Sequence, residues 1–152
     1  MVTYKKALLS DVAQMQQLMK PEVESGIILP RNNDEIATNI RSYILAFNKD
    51  ILIAFTALHI HSSTLGEIRS LIVAPQYQSQ KIGTTLVQKA VEEAIDLHLK
   101  QILALTYKKT FFEKLGFVEI PKESLPDHKI WADCINCKHF PICNEVSLIK
   151  TI

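Results

Sequence analysis

Apolar positions along the chain follow two patterns: a recurrence every three to four residues in some stretches and short unbroken runs in others. Val12, Met15, Leu18 and Met19 share one helical face behind Ser10, whose side-chain oxygen suits an N-cap, and Pro21 is expected to stop that helix. Ile36 and Ile40, four apart, predict a second helix over residues 34–41. A longer helix over 82–97 turns Leu86, Ala90, Val91, Ala94 and Leu97 inward and leaves Lys89, Glu92 and Glu93 outside. A short one over 110–115 is closed by Gly116 in the C′ position. Strands are predicted over 3–7, 43–47, 51–61, 67–73, 101–105, 117–120 and 146–149, with Asn48-Lys49-Asp50 as a turn. Residues 26–30 read as an apolar loop.

The order is helices near the front, a meander of strands, then strand, helix, strand, helix, strand. That is the signature of an α/β (α+β) domain, a mixed sheet flanked by helices. No repeat, linker or low-complexity tract divides the 152 residues, so residues 1–152 are expected to form a single domain with its own core.

Composition narrows the function classes. Apolar residues make up 47% and charged residues 22%, an ordinary globular balance. Seventeen basic against sixteen acidic side chains give a formal net charge of +1. Neither nucleic acid nor an anionic membrane is attracted by such a chain as a whole, so an anionic ligand has to be held by local groups. The longest apolar run, residues 51–58, contains Thr56 and falls far short of the ~20 residues that span a bilayer. The opening residues lack the apolar core of a secretory signal, which makes a cytoplasmic location the expectation. Three cysteines, an odd number, argue against a disulfide framework.

The stretch richest in chemistry runs from Glu67 through Pro75 into the helix that begins near Ile82. A strand passes through a polar turn into a long helix, whose first turn offers unsatisfied N–H groups and a positive dipole end to a phosphate. Gly83 allows close backbone approach, and Thr84 and Thr85 keep the entrance uncrowded. By itself such a junction is more often an ordinary structural turn.

Two motifs add to it. Leu71-x-Val73-x-Pro75, followed by Gln78-x-x-Lys81-x-Gly83, resembles the acetyl-CoA-binding motif of the GNAT acetyltransferases. Downstream, Phe111-Phe-Glu-Lys-Leu-Gly-Phe117 is similar to that family's helix and "LGF" segment. The resemblance implies a GNAT fold, a mixed and mostly antiparallel sheet whose central strand pair splays near Val73 and Leu105. It further implies that Leu71, Ile72 and Val73 pair with the pantetheine arm. The N–H groups of Gln78, Ser79, Gln80, Lys81, Ile82, Gly83 and Thr84 would hold the pyrophosphate, and Phe112 would lie beneath the cofactor. Lys81 stands where the family has glycine, which puts a Cβ into the phosphate loop. Small members of the family often dimerise, so a homodimer is left open.

A narrower resemblance concerns the acceptor. Residues 24–31, Gly66-Glu67-Ile68, Ala104-Leu-Thr106, Phe111-Phe112 and Leu125-Pro126 are similar to the acetyltransferase domain of N-acetylglutamate synthases. The closing cysteine-containing stretch resembles the short, kinase-less bacterial versions. Acetyl transfer to the α-amino group of L-glutamate, a step of arginine biosynthesis, is implied. An α-ammonium must lose a proton before attack, and Glu67 matches the residue expected to serve as base. A lone Glu after a glycine turn is also commonly a solvated surface group. Phe112 replaces the tyrosine many relatives use as acid, which leaves Thr106 and Tyr107 for protonation of the thiolate, or a thiolate that departs unassisted. Arg31 matches the arginine that grips a carboxylate, Leu29 and Ser70 match backbone-contact positions, and Arg69 and Lys129 are further cations. Asn144 and Glu145 stand where the long synthases hold a second carboxylate with arginine, so glutamine or another amino acid is an alternative acceptor. Another small amine, a protein N-terminus, or a non-catalytic acyl-CoA sensor are competing readings.

Cys134-x-x-Cys137-x-His139-x-x-x-Cys143 has the ligand types of a small structural zinc site, with packing or redox sensitivity as alternatives. His59 and His61 stand two apart on one strand face, where lining an acceptor pocket is open to them but not required.

Overall fold

The computed structural model describes residues 1–121, 124 and 145–152. Seven strands form one sheet in the order β1-β2-β3-β4-β5-β7-β6. They are β1 (Val2–Lys6), β2 (Tyr43–Asn48), β3 (Ile51–Ile60), β4 (Leu65–Val73), β5 (Gln101–Thr106), β6 (Val118–Ile120) and β7 (Val146–Thr151). Every neighbouring pair is antiparallel except β4 and β5, which run parallel. The expected mixed, mostly antiparallel sheet is therefore present. A parallel neighbour needs a crossover, and α3 (Ile82–Asp96) supplies it.

Alternation along the strands divides the core between two faces. On one, Ile44, Ile68, Ile102 and Ala104 pack against Ile82, Leu86, Val87, Ala90 and Ala94 of α3. On the other, Tyr43, Leu45, Phe55 and Ala57 pack against Met15 and Met19 of α1 (Val12–Glu24) and Ile36 of α2 (Asn33–Thr38). The short α4 (Lys109–Glu113) precedes Gly116, whose φ of +92° provides the left-handed helix end expected of it.

Several boundaries differ from the sequence reading, most by one or two residues. Pro21 lies inside α1, which continues to Glu24. Its own carbonyl still accepts from Ser25 N at 3.1 Å, and the partly buried Val23 packs against the core, which helps hold the last turn past the donor that proline lacks. The N-cap oxygen does not come from Ser10. Asp11 Oδ2 instead accepts from Leu8 N at 2.8 Å across a 3-10 turn, Leu9–Asp11, that leads into the helix. The second helix ends at Thr38, not at residue 41, because Asn39 Nδ2 donates to Glu35 O at 2.9 Å and a 3-10 turn takes over.

β4 also begins earlier than expected, at Leu65, where Leu65 and Gly66 pair with Gln101 and Ile102. A Cβ on Gly66 would meet Leu99 Cδ1 at 2.8 Å, so any larger residue makes the Leu99 side chain shift where strand and loop approach. Further along, the β3–β4 ladder shifts register between Phe55–Ile72 and Ala57–Arg69. Thr56 thus faces two residues of β4, a bulge in which Ser70 adopts φ +55°. Pairing of β4 with β5 ends at Ile68–Ala104, just before the bulge, although both strands run on.

Thr56 is fully buried, and its Oγ1 donates to Arg69 O at 3.0 Å, tying the bulge to β3. Thr56→Val keeps the shape but leaves that carbonyl without its donor, so urea unfolding should show a loss of about 1–2 kcal/mol. An unchanged midpoint would remove Thr56 as the pin.

Candidate active site

The bulge opens a fork. Before it, β4 and β5 are hydrogen-bonded; after it, Leu71, Ile72 and Val73 run on without a pair from β5, and Thr106 ends β5 two residues past the last pair. α3 covers one face of the sheet, while Ala57, His59, Glu67 and Arg69 sit together on the other through the pairs Ala57–Arg69 and His59–Glu67.

On the α3 side, β4 leads through a 3-10 turn, Pro75–Tyr77, into a loop with unusual backbone angles. Ser79 has φ +70° and Lys81 φ +63°, left-handed conformations that cost a side-chain-bearing residue roughly 1–2 kcal/mol. These angles explain why the resembling family has glycine where Lys81 stands. No side chain caps α3, so the N–H groups of its first turn have no side-chain acceptor. An anion is the partner such a turn accepts. A Cβ on Gly83 would meet Phe111 Cζ and Val73 Cγ2 at 3.6 Å, ordinary contact distances, so the packing of the chain itself does not require glycine there.

On the opposite face lies a cleft of about 150 Å³ lined by Arg31, Glu35, Asn39, Ser42, Tyr43, Ala57, His59, Arg69 and Ser70. Arg31 enters from the loop before α2, held by Gln16 Nε2 donating to its backbone oxygen at 2.7 Å. α2 is fixed by a reciprocal cap: Asn32 Oδ1 accepts from Glu35 N at 2.8 Å and Glu35 Oε1 from Asn32 N at 3.0 Å. Burial pushes the Tyr43 hydroxyl above its ordinary pKa, while Arg31 and Arg69 pull it partly back.

Beside the cleft, Glu67 is buried. Its Oε1 accepts from Arg69 Nε at 2.9 Å and meets His61 Nε2 at 2.7 Å. Burial alone would raise its pKa, but the His61 hydrogen bond and the Arg69 charge outweigh it and hold the carboxyl below its usual range. Glu67 is thus an ionised carboxylate embedded in the protein, not a solvated surface group. His61 itself has a side chain only 1% exposed, and its ring contacts that of His59 edge-on, centroids 4.8 Å apart.

Among the residues singled out from the sequence, Arg31, Arg69 and Ser70 meet in the cleft, and Glu67 is bound to Arg69. Leu29 is half-buried outside the lining, while Thr106 and Tyr107 flank the mouth of the fork. Thr106 Oγ1 accepts from Lys108 N at 2.9 Å. Phe112 is buried in the core, edge-on to Phe111 and Phe117, and it is Phe111 that approaches Gly83. Lys129, Cys134, Cys137, His139 and Cys143 lie outside the described residues, and among those described no group of side chains could hold a metal ion. Tyr43, Glu35, Asn39 and Ser42 were not foreseen; only the register of β2 on β3 and the placement of α2 bring them together.

Comparison with known proteins agrees with this architecture. The model of the acetyltransferase (GNAT) family matches residues 9–117. An uncharacterized N-acetyltransferase of Chlorobaculum tepidum is 32% identical over 148 residues, covering 97% of this chain and 95% of its own. An amino-acid acetyltransferase of Mycobacterium tuberculosis is 32% identical over 120 residues, 76% of this chain and 68% of that protein. The structure of N-acetylglutamate synthase from Neisseria gonorrhoeae, complexed with coenzyme A and N-acetyl-glutamate, superposes with a TM-score of 0.88 at 23% identity. It covers 99% of this chain, which spans 35% of that synthase chain, and at this identity the likeness is one of fold.

Because the folded protein lowers the Glu67 pKa, its charge stabilises the fold above the ordinary carboxylate value of 4.5, and that stability is lost as the pH falls through the folded value. Glu67→Gln should therefore unfold at lower urea than the wild type at pH 7, with the gap closing below pH 4.5. A gap that widens on acidification would contradict the lowered pKa.

Proposed function

The chain belongs to the GNAT acetyltransferase family and is an acetyl-CoA-dependent N-acetyltransferase, and we propose that its acceptor is the α-amino group of an amino acid, L-glutamate foremost. The supporting observation is the pairing of two guanidinium groups, Arg31 and Arg69, in one small cleft beside a buried, ionised Glu67. Guanidinium grips carboxylate through paired N–H donors, and an acidic amino acid carries two carboxylates. Glu35, Asn39 and Ser42 on the same wall favour a second reading, glutamine, because a carboxylate opposes a second acceptor charge while neutral groups bond an amide.

The residues present fit acetyl-CoA. The uncapped N–H groups of Ile82, Gly83 and Thr84, with those of Gln78, Ser79, Gln80 and Lys81 in the turned loop before them, hold the pyrophosphate. The free edge of Leu71, Ile72 and Val73 pairs with the pantetheine arm, and the fork leads that arm towards the face that carries the cleft. Bound there, acetyl-CoA supplies the activated acyl group. Arg31 and Arg69 fix the acceptor by its carboxylates, Glu67 acts in removing the ammonium proton, and Thr106 or Tyr107 at the fork mouth protonates the departing thiolate. Residues 1–152 act in this scheme as one catalytic domain. A place in arginine biosynthesis and a cytoplasmic location follow from a glutamate acceptor; no helix of the described residues is long and apolar enough to cross a membrane.

Thiol release from acetyl-CoA, measured across glutamate, glutamine, aspartate and ornithine, tests the acceptor: glutamate should give the highest kcat/KM, with glutamine next. Turnover only with non-amino-acid amines, or binding of CoA without any turnover, would overturn the reading. Arg31→Lys should raise the KM for glutamate about tenfold, the loss of one charged hydrogen bond, with kcat little changed. Gly83→Ala separates ligand from fold: helix propensity should raise stability by about 0.5–1 kcal/mol while calorimetry shows weaker CoA binding. Unchanged CoA affinity would remove Gly83 from the phosphate loop.

A further inference from the structure

His61 is the best-buried ionisable side chain beside the cleft, and its two nitrogens are treated differently. Nε2 is bonded to Glu67 Oε1 at 2.7 Å, whereas Nδ1 is buried with no partner. Glu67, kept ionised, can only accept, so Nε2 is the donor of this bond, and in the neutral ring Nδ1 is the nitrogen with the lone pair. A buried polar atom left without a partner calls for an explanation, commonly a water or a function. We propose that Nδ1 of His61 is the atom that receives the acceptor's proton, through a bridging water, with Glu67 as the positioning residue that holds the ring. This rests on the reading of the chain as an amino-acid acetyltransferase and sharpens the part given to Glu67.

The chemistry favours this division. A carboxylate held below its usual pKa is a weak base at neutral pH, whereas imidazole is the side chain whose charge changes between about pH 5 and 8. The Glu67 charge then stabilises the imidazolium that forms, as the buried carboxylate does in an acid–histidine pair. His59 both lines the cleft and touches the His61 ring, so His61 lies one ring behind the cleft wall. The titratable and charged groups facing it among the described residues are His59 on β3 and Glu67 and Arg69 on β4, with Tyr43, Arg31 and Glu35 further along the cleft. In the step itself, the α-ammonium gives one proton to Nδ1 through water, and the amine lone pair forms the new C–N bond. The C–S bond breaks with its electron pair on sulfur, Thr106 or Tyr107 gives its hydroxyl proton to the thiolate and is reprotonated by the second amine proton, and the imidazolium later releases its proton to solvent.

His61→Gln distinguishes a proton acceptor from a mere brace, because the glutamine amide still donates to Glu67 but cannot titrate. The proposal expects kcat to fall on the order of a hundredfold, with acceptor KM and CoA affinity little changed. The low-pH limb of the wild-type rate profile should coincide with the His61 titration midpoint read by nitrogen-15 NMR, and that limb should vanish in the variant. A variant with near-wild-type kcat and the same limb overturns it. So does an NMR tautomer with the neutral ring protonated on Nδ1, a result that does not depend on the variant folding. Turnover by the wild type together with an unaltered variant profile sinks this inference alone; no wild-type turnover with any amino acid sinks the acceptor reading and this inference with it.

Discussion

Thr56 faces two residues of β4 where a regular ladder offers one, and Ser70 takes up the surplus with a positive φ. A bulge of this kind bends its strand and ends local pairing. Here the last β4–β5 pair, Ile68–Ala104, immediately precedes it. Where that pairing stops, the edge of Leu71, Ile72 and Val73 is left without a partner from β5. The loop that leads into α3 lies on one side of the sheet and the arginine-lined cleft on the other. The Thr56 hydroxyl, donating to Arg69 O, links the backbone irregularity to the residue whose guanidinium holds Glu67.

The electrostatics of the cleft follow from that placement. A buried carboxylate is costly unless paired, and Glu67 is paired twice through one oxygen. Arg69 serves both Glu67 and the cleft, so binding of an anionic acceptor and ionisation of Glu67 share a cation. Arg31 lies further along the cleft wall, fixed by its backbone. The loop before α3 bears a local strain at Ser79 and Lys81, of the kind often found where backbone groups are turned towards a ligand.

Much of the fold was legible in the sequence because helices of strong period and strands of unbroken apolar character dictate their own type. The failures were local. Pro21 suggests a stop, yet α1 runs on to Glu24 with Val23 packed, partly buried, against the core. Ser10 was read as the cap, but Asp11 reaches back to Leu8 N. The site was legible in part: Glu67, Arg31, Arg69 and Ser70 carried motif or charge signals, and three of them line the cleft. The spacing of His59 and His61 marked them only as able to line a pocket, and Tyr43, Asn39 and Ser42 carried no signal, since their roles arise from strand register and the docking of α2, which no short-range pattern encodes. Phe112 bore the motif position, yet its ring joins the core and Phe111 faces Gly83.

The central claim is that a fork made by the Ser70 bulge carries the acyl arm from the phosphate loop at the start of α3 to a cleft on the opposite face. A crystal structure of this chain with coenzyme A and glutamate tests it most directly. The account predicts pantetheine paired to Leu71, Ile72 and Val73, its sulfur emerging between β4 and β5, and the glutamate carboxylates on Arg31 and Arg69. Coenzyme A bound with β4 and β5 closed, or glutamate seated away from Arg31 and Arg69, would contradict it.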